Sequence, residues 1–205
     1  MAWADLVNFV LAWRMPPVEV AGTVLSVAAV VLTIRRTVWC WPVWMAATAV
    51  YLWVFAEAKL YSDALLQVFF LAMQVVGWRR WGIEGTEAAV TALPARARIG
   101  WIVGTLAASA VWGLAMDRWT DAALPYPDAV VAIGSIATQW LQTRKRIESW
   151  VGWILVDIVA TGVYAAKGLH PTTELYVGFT VLAVVGWRDW RREWRNASPG
   201  PQSAP

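Results

Sequence analysis

One acidic residue interrupts the middle of a long apolar run: Asp157, nine residues beyond Glu148 in ESWVGWILVDIVATGVYAA. On a helix rising 1.5 Å per residue it stands about 13 Å from Glu148, close to the centre of a hydrocarbon layer roughly 30 Å thick. An ionisable group at that depth is costly and faces the interior of a helix bundle. Two chemistries suit it: a carboxylate that attracts a cationic ligand, or a hydrogen bond to a Thr, Tyr or Trp that packs two helices together. Trp153 lies four residues before it and Thr161 four after, followed by Tyr164, so a polar and aromatic face continues along the helix.

Amides form a second group. Ser135, Gln139 and Gln142 are spaced four and then three, and Gln67, Phe70 and Gln74 three and then four, each set along one helical stripe. A carboxamide donates and accepts at once, which fits ribose hydroxyls or another carboxamide, and it serves equally in bonds between helices. Gln142, beside the basic Arg144-Lys145-Arg146, reads as interfacial. The candidate binding residues are therefore Asp157, Gln139, Gln74, Trp153, Ser135, Phe70, Gln67, Thr161 and Tyr164.

Other chemistry lacks its parts. The chain has no GxxxxGK[ST] phosphate loop. Cys40 is the only cysteine and His170, expected in an outer loop beside Pro171, the only histidine. No metal, no cofactor and no catalytic residue are expected. An intramembrane enzyme needs converging acid, base or metal ligands, so an enzyme or accessory subunit is the weaker reading.

Composition identifies the medium. Of 205 residues 59% are hydrophobic and 15% charged, with mean hydropathy +0.50, against about 25% charged in a soluble domain. Seven segments approach the length of a span: Val18–Ile34, Val38–Ala56, Ala64–Trp78, Ile99–Met116, Pro127–Thr143, Trp150–Ala166 and Leu175–Trp187. Ahead of them Trp3–Trp13 reads as an interfacial segment and lacks the basic start and cleavage site of a signal peptide. With seven spans, 13 of the 17 Lys and Arg fall on one side. The positive-inside rule makes that side cytoplasmic, with the N-terminus outside. The net charge of +3 is a topology signal and not a nucleic-acid footprint.

The elements repeat. VVGWRRW at 75–81 returns as VVGWRDW at 184–190, an offset of 109 that also aligns Trp41 with Trp150, Trp44 with Trp153, Arg35-Arg36 with Arg144-Lys145, and Phe70 with Phe179. Thr48 falls on Asp157, so the carboxylate is not common to both copies. Each copy holds three spans, and an odd number inverts the next copy unless a further span intervenes. The predicted architecture is an all-α integral membrane protein of seven transmembrane helices in a 3+1+3 parallel-repeat bundle. Its parts are an N-terminal interfacial segment (1–17), a first repeat (18–81), a cytoplasmic linker (82–98), a linker helix (99–116), a second repeat (127–190) and a disordered cytoplasmic tail (191–205).

In this scheme Trp3, Trp13, Trp39, Trp81, Trp190 and Trp194 form interfacial belts. Trp150 and Trp153 serve as a gate or ring-stacking surface, or share a structural role with Trp41 and Trp44. Pro42, Gly134 and Gly162 are expected to ease motion of the helices.

QWLQTRKRIESWVGWILVDIVATGVYAAKGL (Gln139 to Leu169) and LYVGFTVLAVVGWRDWRR (Leu175 to Arg192) resemble the C-terminal half of the PnuC family of vitamin transporters. The QWL, K-x-x-E-x-W-x-x-W and G-W-x-x-W elements, with Lys145, Glu148, Trp150 and Trp153, carry the likeness. The resemblance implies a SWEET-like bundle in a cell inner membrane and facilitated diffusion of an unphosphorylated vitamin, trapped by a cytoplasmic kinase. Nicotinamide riboside is the first expectation, with thiamine, riboflavin or a nucleoside as alternatives. Expected partners are the vitamin and the lipid bilayer, with no nucleic acid; self-association into a homo-oligomer stays open. Val76-Gly77-Trp78-Arg79 departs from the Tyr-Gly-Trp-Trp of many nicotinamide riboside carriers, which bears on the substrate.

Overall fold

The chain, seen in a computed structural model, is described over residues 16–57, 61–85 and 89–197. Seven helices follow one another among these: α1 (Pro17–Ile34), α2 (Cys40–Glu57), α3 (Tyr61–Glu84), α4 (Ala95–Trp119), α5 (Pro125–Thr143), α6 (Glu148–Ala166) and α7 (His170–Ala197). Proline opens α1 and α5, where its missing N–H is no loss and its fixed φ suits the first turn. Three helices, α1, α4 and α6, are each long and apolar enough to cross a membrane. Their outward faces are apolar: in α4, Ile99, Ile102, Val103, Leu106 and Val111 are all exposed, as lipid-facing side chains are.

Two compact units divide the chain, Met1–Arg79 and Arg80–Pro205. In the first, α1 lies on α2, where Gly22 admits the ring of Tyr51, and Gly77 of α3 receives the indole of Trp41. In the second, α4 packs on α5, α5 on α6 and α6 on α7. Here too glycines set the approach: Gly113 meets Tyr126, Gly134 meets Val156, Gly152 meets Thr138 and Gly186 meets the indole of Trp150. Removing a side chain at the crossing lets backbones come close, the main source of helix association in lipid.

Within each unit one corner has the same design. After α1, the N–H of Arg36 donates to Thr33 O and that of Thr37 to Leu32 O; after α5, Lys145 donates to Gln142 O and Arg146 to Leu141 O. Both corners are Schellman turns, and their left-handed residues are Arg36 (φ 58°) and Lys145 (φ 49°), not glycine. Such a residue costs on the order of 1 kcal/mol or more in a left-handed conformation. The two positions are 109 apart, as are Trp41 and Trp150, and Gly77 and Gly186.

Several sequence expectations change. Trp81 and Trp190 are not interfacial: both are fully buried, with ring centroids 6.1 Å apart, and Trp190 also meets Trp150 edge-on at 5.5 Å. The Trp81 indole N–H donates to Thr143 O, so the ring has a polar partner inside the protein. Trp39 is 68% exposed, as an interfacial residue would be. His170 begins α7 and is not a loop residue, and α7 runs to Ala197, seven residues into the stretch expected to be a disordered tail. Trp3–Trp13 and 198–205 lie outside the described residues.

The linker is tied down. Lys145 Nζ donates to Gly85 O at 2.7 Å and lies over the Trp81 ring, and Arg146 donates to Ala92 O at 3.1 Å. Thr91 pairs with the α5–α6 corner through its N–H to Lys145 O and its O from Ile147 N–H. Glu148 Oε1 then accepts from the Leu93 N–H at 2.9 Å and from Arg98 at 2.7 Å. These side chains fall on K-x-x-E, so much of the family-like motif is a strap that fastens Gly85 and residues 91–98 to the α5–α6 corner within the second unit.

Candidate functional site

A buried polar seam runs between α5 and α6. On α5 the buried residues include Ser135, Thr138, Gln139 and Gln142, spaced three, one and three, a stripe of one helical face. Opposite it α6 buries Ser149, Trp150, Val156, Asp157, Ala160 and Val163. Gly152 against Thr138 and Gly134 against Val156 set an antiparallel register, which brings Asp157 level with Ile133 and Gly134 of α5.

Asp157 is 4% exposed, and among the described residues no hydrogen bond or ion pair reaches its carboxylate. The Thr161 hydroxyl, expected as a neighbour of that carboxylate, donates instead to the Asp157 backbone O at 2.7 Å. A buried carboxylate without a protein donor is destabilising on its own, which singles this position out among the buried polar groups of α5 and α6. Trp153 is half-buried and its indole N–H donates to Gln142 Oε1 at 3.2 Å. That bond fixes the Gln142 amide, which is buried and not interfacial, and leaves its Nε2 donor without a partner. Further along, Tyr164 and Tyr176 lie ring to ring at 5.1 Å, and Tyr176 meets Phe179 edge-on. Carboxylate, amides and aromatic rings together are the groups needed to hold a small aromatic solute with polar substituents.

The first unit holds the other three candidates. Gln74 is buried and its Nε2 donates to Thr48 Oγ1 at 2.7 Å, a bond between α3 and α2. Its amide oxygen keeps no partner. Gln67 and Phe70 are half-buried on α3, Phe70 in edge contact with Phe69. Trp44 N–H donates to Thr33 Oγ1 at 3.1 Å, the counterpart, at the 109 offset, of Trp153 on Gln142.

Two residues escaped sequence reasoning. Thr138 completes the α5 stripe, and its spacing of three from Ser135 and four from Gln142 was a readable signal. Gln142 was set aside because of its basic neighbours, yet its alignment with Thr33, and of Trp153 with Trp44, pointed to a paired buried bond. No group of three or more His, Cys, Asp or Glu that could hold a metal occurs among the described residues.

The profile of the nicotinamide mononucleotide transporter family matches residues 16–192. The chain belongs to that family. Its relatives include the riboflavin/roseoflavin transporter RibM of Streptomyces davaonensis, 29% identical with all of both chains covered. The nicotinamide riboside transporter PnuC of Escherichia coli is 25% identical over 67% of this chain and 69% of its own. The crystal structure of the vitamin B3 transporter PnuC has the same fold, with TM-score 0.77 and 21% identity over 95% of this chain and 88% of that one. The chain is thus a membrane transporter of a family that carries vitamins, not a member of an enzyme family, and its expected likeness to PnuC is met.

Proposed function

We propose that this chain mediates facilitated uptake of an unphosphorylated vitamin across a cytoplasmic membrane, with nicotinamide riboside as substrate and a cytoplasmic kinase trapping the product. The observation that carries this reading is the buried Asp157 carboxylate, which no described residue pairs with, on a helix that packs on the buried polar stripe of α5, in a family of vitamin carriers. Nicotinamide riboside is a cation, and the carboxylate supplies its counter-charge. Gln139, Ser135 and the free Gln142 donor suit the ribose hydroxyls and carboxamide. Trp153 and Tyr164 offer ring faces and Thr161 lies on the same helix; within the first unit Gln74, Gln67 and Phe70 are the corresponding candidates for contact with the substrate.

The seven helices form a 3+1+3 arrangement of parallel repeats with α4 as the inverting span, the N-terminus outside and the C-terminus in the cytoplasm. Support comes from the matched corners, the matched tryptophan–glycine contacts and the matched indole hydrogen bonds, each 109 residues apart. Alternating access then follows from rocking of one repeat against the other. Facilitated diffusion is the simpler mode, because Asp157 is the one clear midplane ionisable group among the described residues, although one carboxylate suffices to carry a proton.

Riboflavin is the second reading, favoured by RibM, whose similarity extends over the full length of both chains. Flavin is uncharged, so the polar stripe and aromatic faces would then bind it with Asp157 as a hydrogen-bond acceptor. Uptake into proteoliposomes without ion gradient or ATP tests the class. Vitamin entry that stops when inside and outside concentrations are equal is expected; accumulation driven by an imposed proton gradient would overturn the facilitator reading.

A further inference from the structure

The last apolar run of the chain, Leu175–Trp187, is too short for the layer it must cross. Thirteen residues rise about 18–20 Å, against roughly 30 Å of hydrocarbon. The turns that follow it on α7 therefore lie at headgroup depth and not in open water. Those turns carry Arg188, Arg191, Arg192 and Arg195, all exposed.

Their placement around the helix is not random. At about 100° per residue the four arginines fall in a wedge about 100° wide, centred roughly 150° from Trp190. Trp190 is the fully buried anchor of this stretch, in contact with Trp81 and Trp150. Asp189 and Glu193 lie outside the wedge, one turn apart on another stripe. The positive-inside rule asks only for cationic residues on one side of the membrane; it does not sort them onto a single face turned away from the protein.

None of the four guanidinium groups holds an ion pair with a described residue. Arg191 lies 4.8 Å over the Trp187 ring, which holds it at the membrane boundary. Between them Trp187, Arg188, Arg191, Arg192, Arg195 and Asn196 line a basin of about 390 Å³.

We propose that this arginine face of α7 binds anionic phospholipid headgroups, and so anchors the end of the second repeat to the membrane surface. The occupant is chosen by charge complementarity and by depth: four cations on one face, none in an ion pair with a described residue, at the level of the phosphates, beside an indole suited to the boundary. The proposal is independent of which vitamin is carried.

The test uses the purified full-length chain in bilayer nanodiscs of equal parts phosphatidylglycerol and phosphatidylcholine, with the lipids retained on extraction counted by native mass spectrometry. Each arginine near an anionic surface is worth a factor of about five, so phosphatidylglycerol should be retained at least about tenfold over phosphatidylcholine. Arg188→Gln, Arg191→Gln, Arg192→Gln and Arg195→Gln combined should abolish the preference, and the milder pair Arg191→Gln, Arg195→Gln should reduce it by about fivefold or more. The four corresponding changes to Lys should preserve it. Equal retention of the two lipids by the unaltered chain, or a preference that survives the fourfold change, would overturn the proposal. So would displacement of the lipid by millimolar inorganic phosphate, which would assign the face to a soluble anion.

Discussion

Glu148, at the start of α6, carries the strap that holds the linker within the second unit, and its replacement makes a graded prediction. Its Oε1 accepts a hydrogen bond from the half-buried Leu93 N–H and an ion pair from Arg98. The two parts differ in worth. A hydrogen bond from a backbone N–H to a charged acceptor contributes about 1.5–3 kcal/mol, and its loss leaves the donor without a partner. The Arg98 pair is about half exposed on the arginine side, so it adds only about 0.2–1 kcal/mol. Glu148→Ala removes both and should destabilise by about 2–4 kcal/mol. Glu148→Gln keeps an acceptor for Leu93 and should cost about 0.5–1.5 kcal/mol; Arg98→Gln should cost less than about 1 kcal/mol. Unfolding in mixed micelles by denaturing detergent gives the three stabilities, and hydrogen exchange at Leu93 reports the bond itself. Protection there should be lost in Glu148→Ala and kept in Arg98→Gln. If Glu148→Gln were as damaging as Glu148→Ala, the ion pair and not the backbone bond would hold the strap. Unchanged exchange at Leu93 in Glu148→Ala would refute the reasoning altogether.

Trp44→Phe and Trp153→Phe each remove one indole hydrogen bond, to Thr33 and to Gln142, and each should cost about 0.5–1.5 kcal/mol in the same unfolding assay. Trp153→Phe alone should also impair vitamin binding, because it frees the Gln142 amide to turn; equal binding defects in the two variants would contradict that asymmetry. Gly186→Ala sets a Cβ 2.6 Å from the Trp150 indole and should destabilise by about 1–3 kcal/mol, while Gly162→Ala, whose Cβ meets nothing within 4 Å, should be neutral or stabilising. Equal stability of the two alanine variants, measured by thermal unfolding, would remove the packing argument. Asp157→Asn should weaken binding of a cationic vitamin by more than about tenfold while leaving an uncharged one within a few-fold; loss of both to the same degree would point to a packing role for the carboxylate.

Much of the fold was legible because membrane segments announce themselves by composition, and because the 109-residue offset carries through basic pairs, tryptophans and glycines. The α1–α2 and α5–α6 corners share one turn design at the basic pairs Arg35-Arg36 and Arg144-Lys145, which the offset aligns. What stayed hidden were the directions of side chains. Trp81 and Trp190 end their apolar runs, where tryptophan commonly meets lipid headgroups, yet Gly186 opens a space for Trp150 and the three indoles pack against one another inside the protein. Gln142 was masked by its basic neighbours, since a sharp left-handed turn at Lys145 separates it from them in space. The linker's attachment was unreadable for a plainer reason: it depends on backbone groups of Gly85, Ala92 and Leu93, and any residue type supplies those. At the candidate site, Asp157 was evident from depth alone, whereas the absence of a protein donor for its carboxylate required coordinates.

The most direct test of the central claim is a binding titration of the detergent-purified chain, unaltered and with Asp157→Asn, against nicotinamide riboside, riboflavin and thiamine in parallel, followed by calorimetry. The account predicts saturable binding of nicotinamide riboside that falls more than about tenfold in the Asn variant, with heat released on binding to the unaltered chain. Saturable binding of riboflavin alone, indifferent to Asp157, would transfer the site to the flavin reading. Binding of none of the three by folded protein would contradict the account of the α5–α6 seam as a vitamin site.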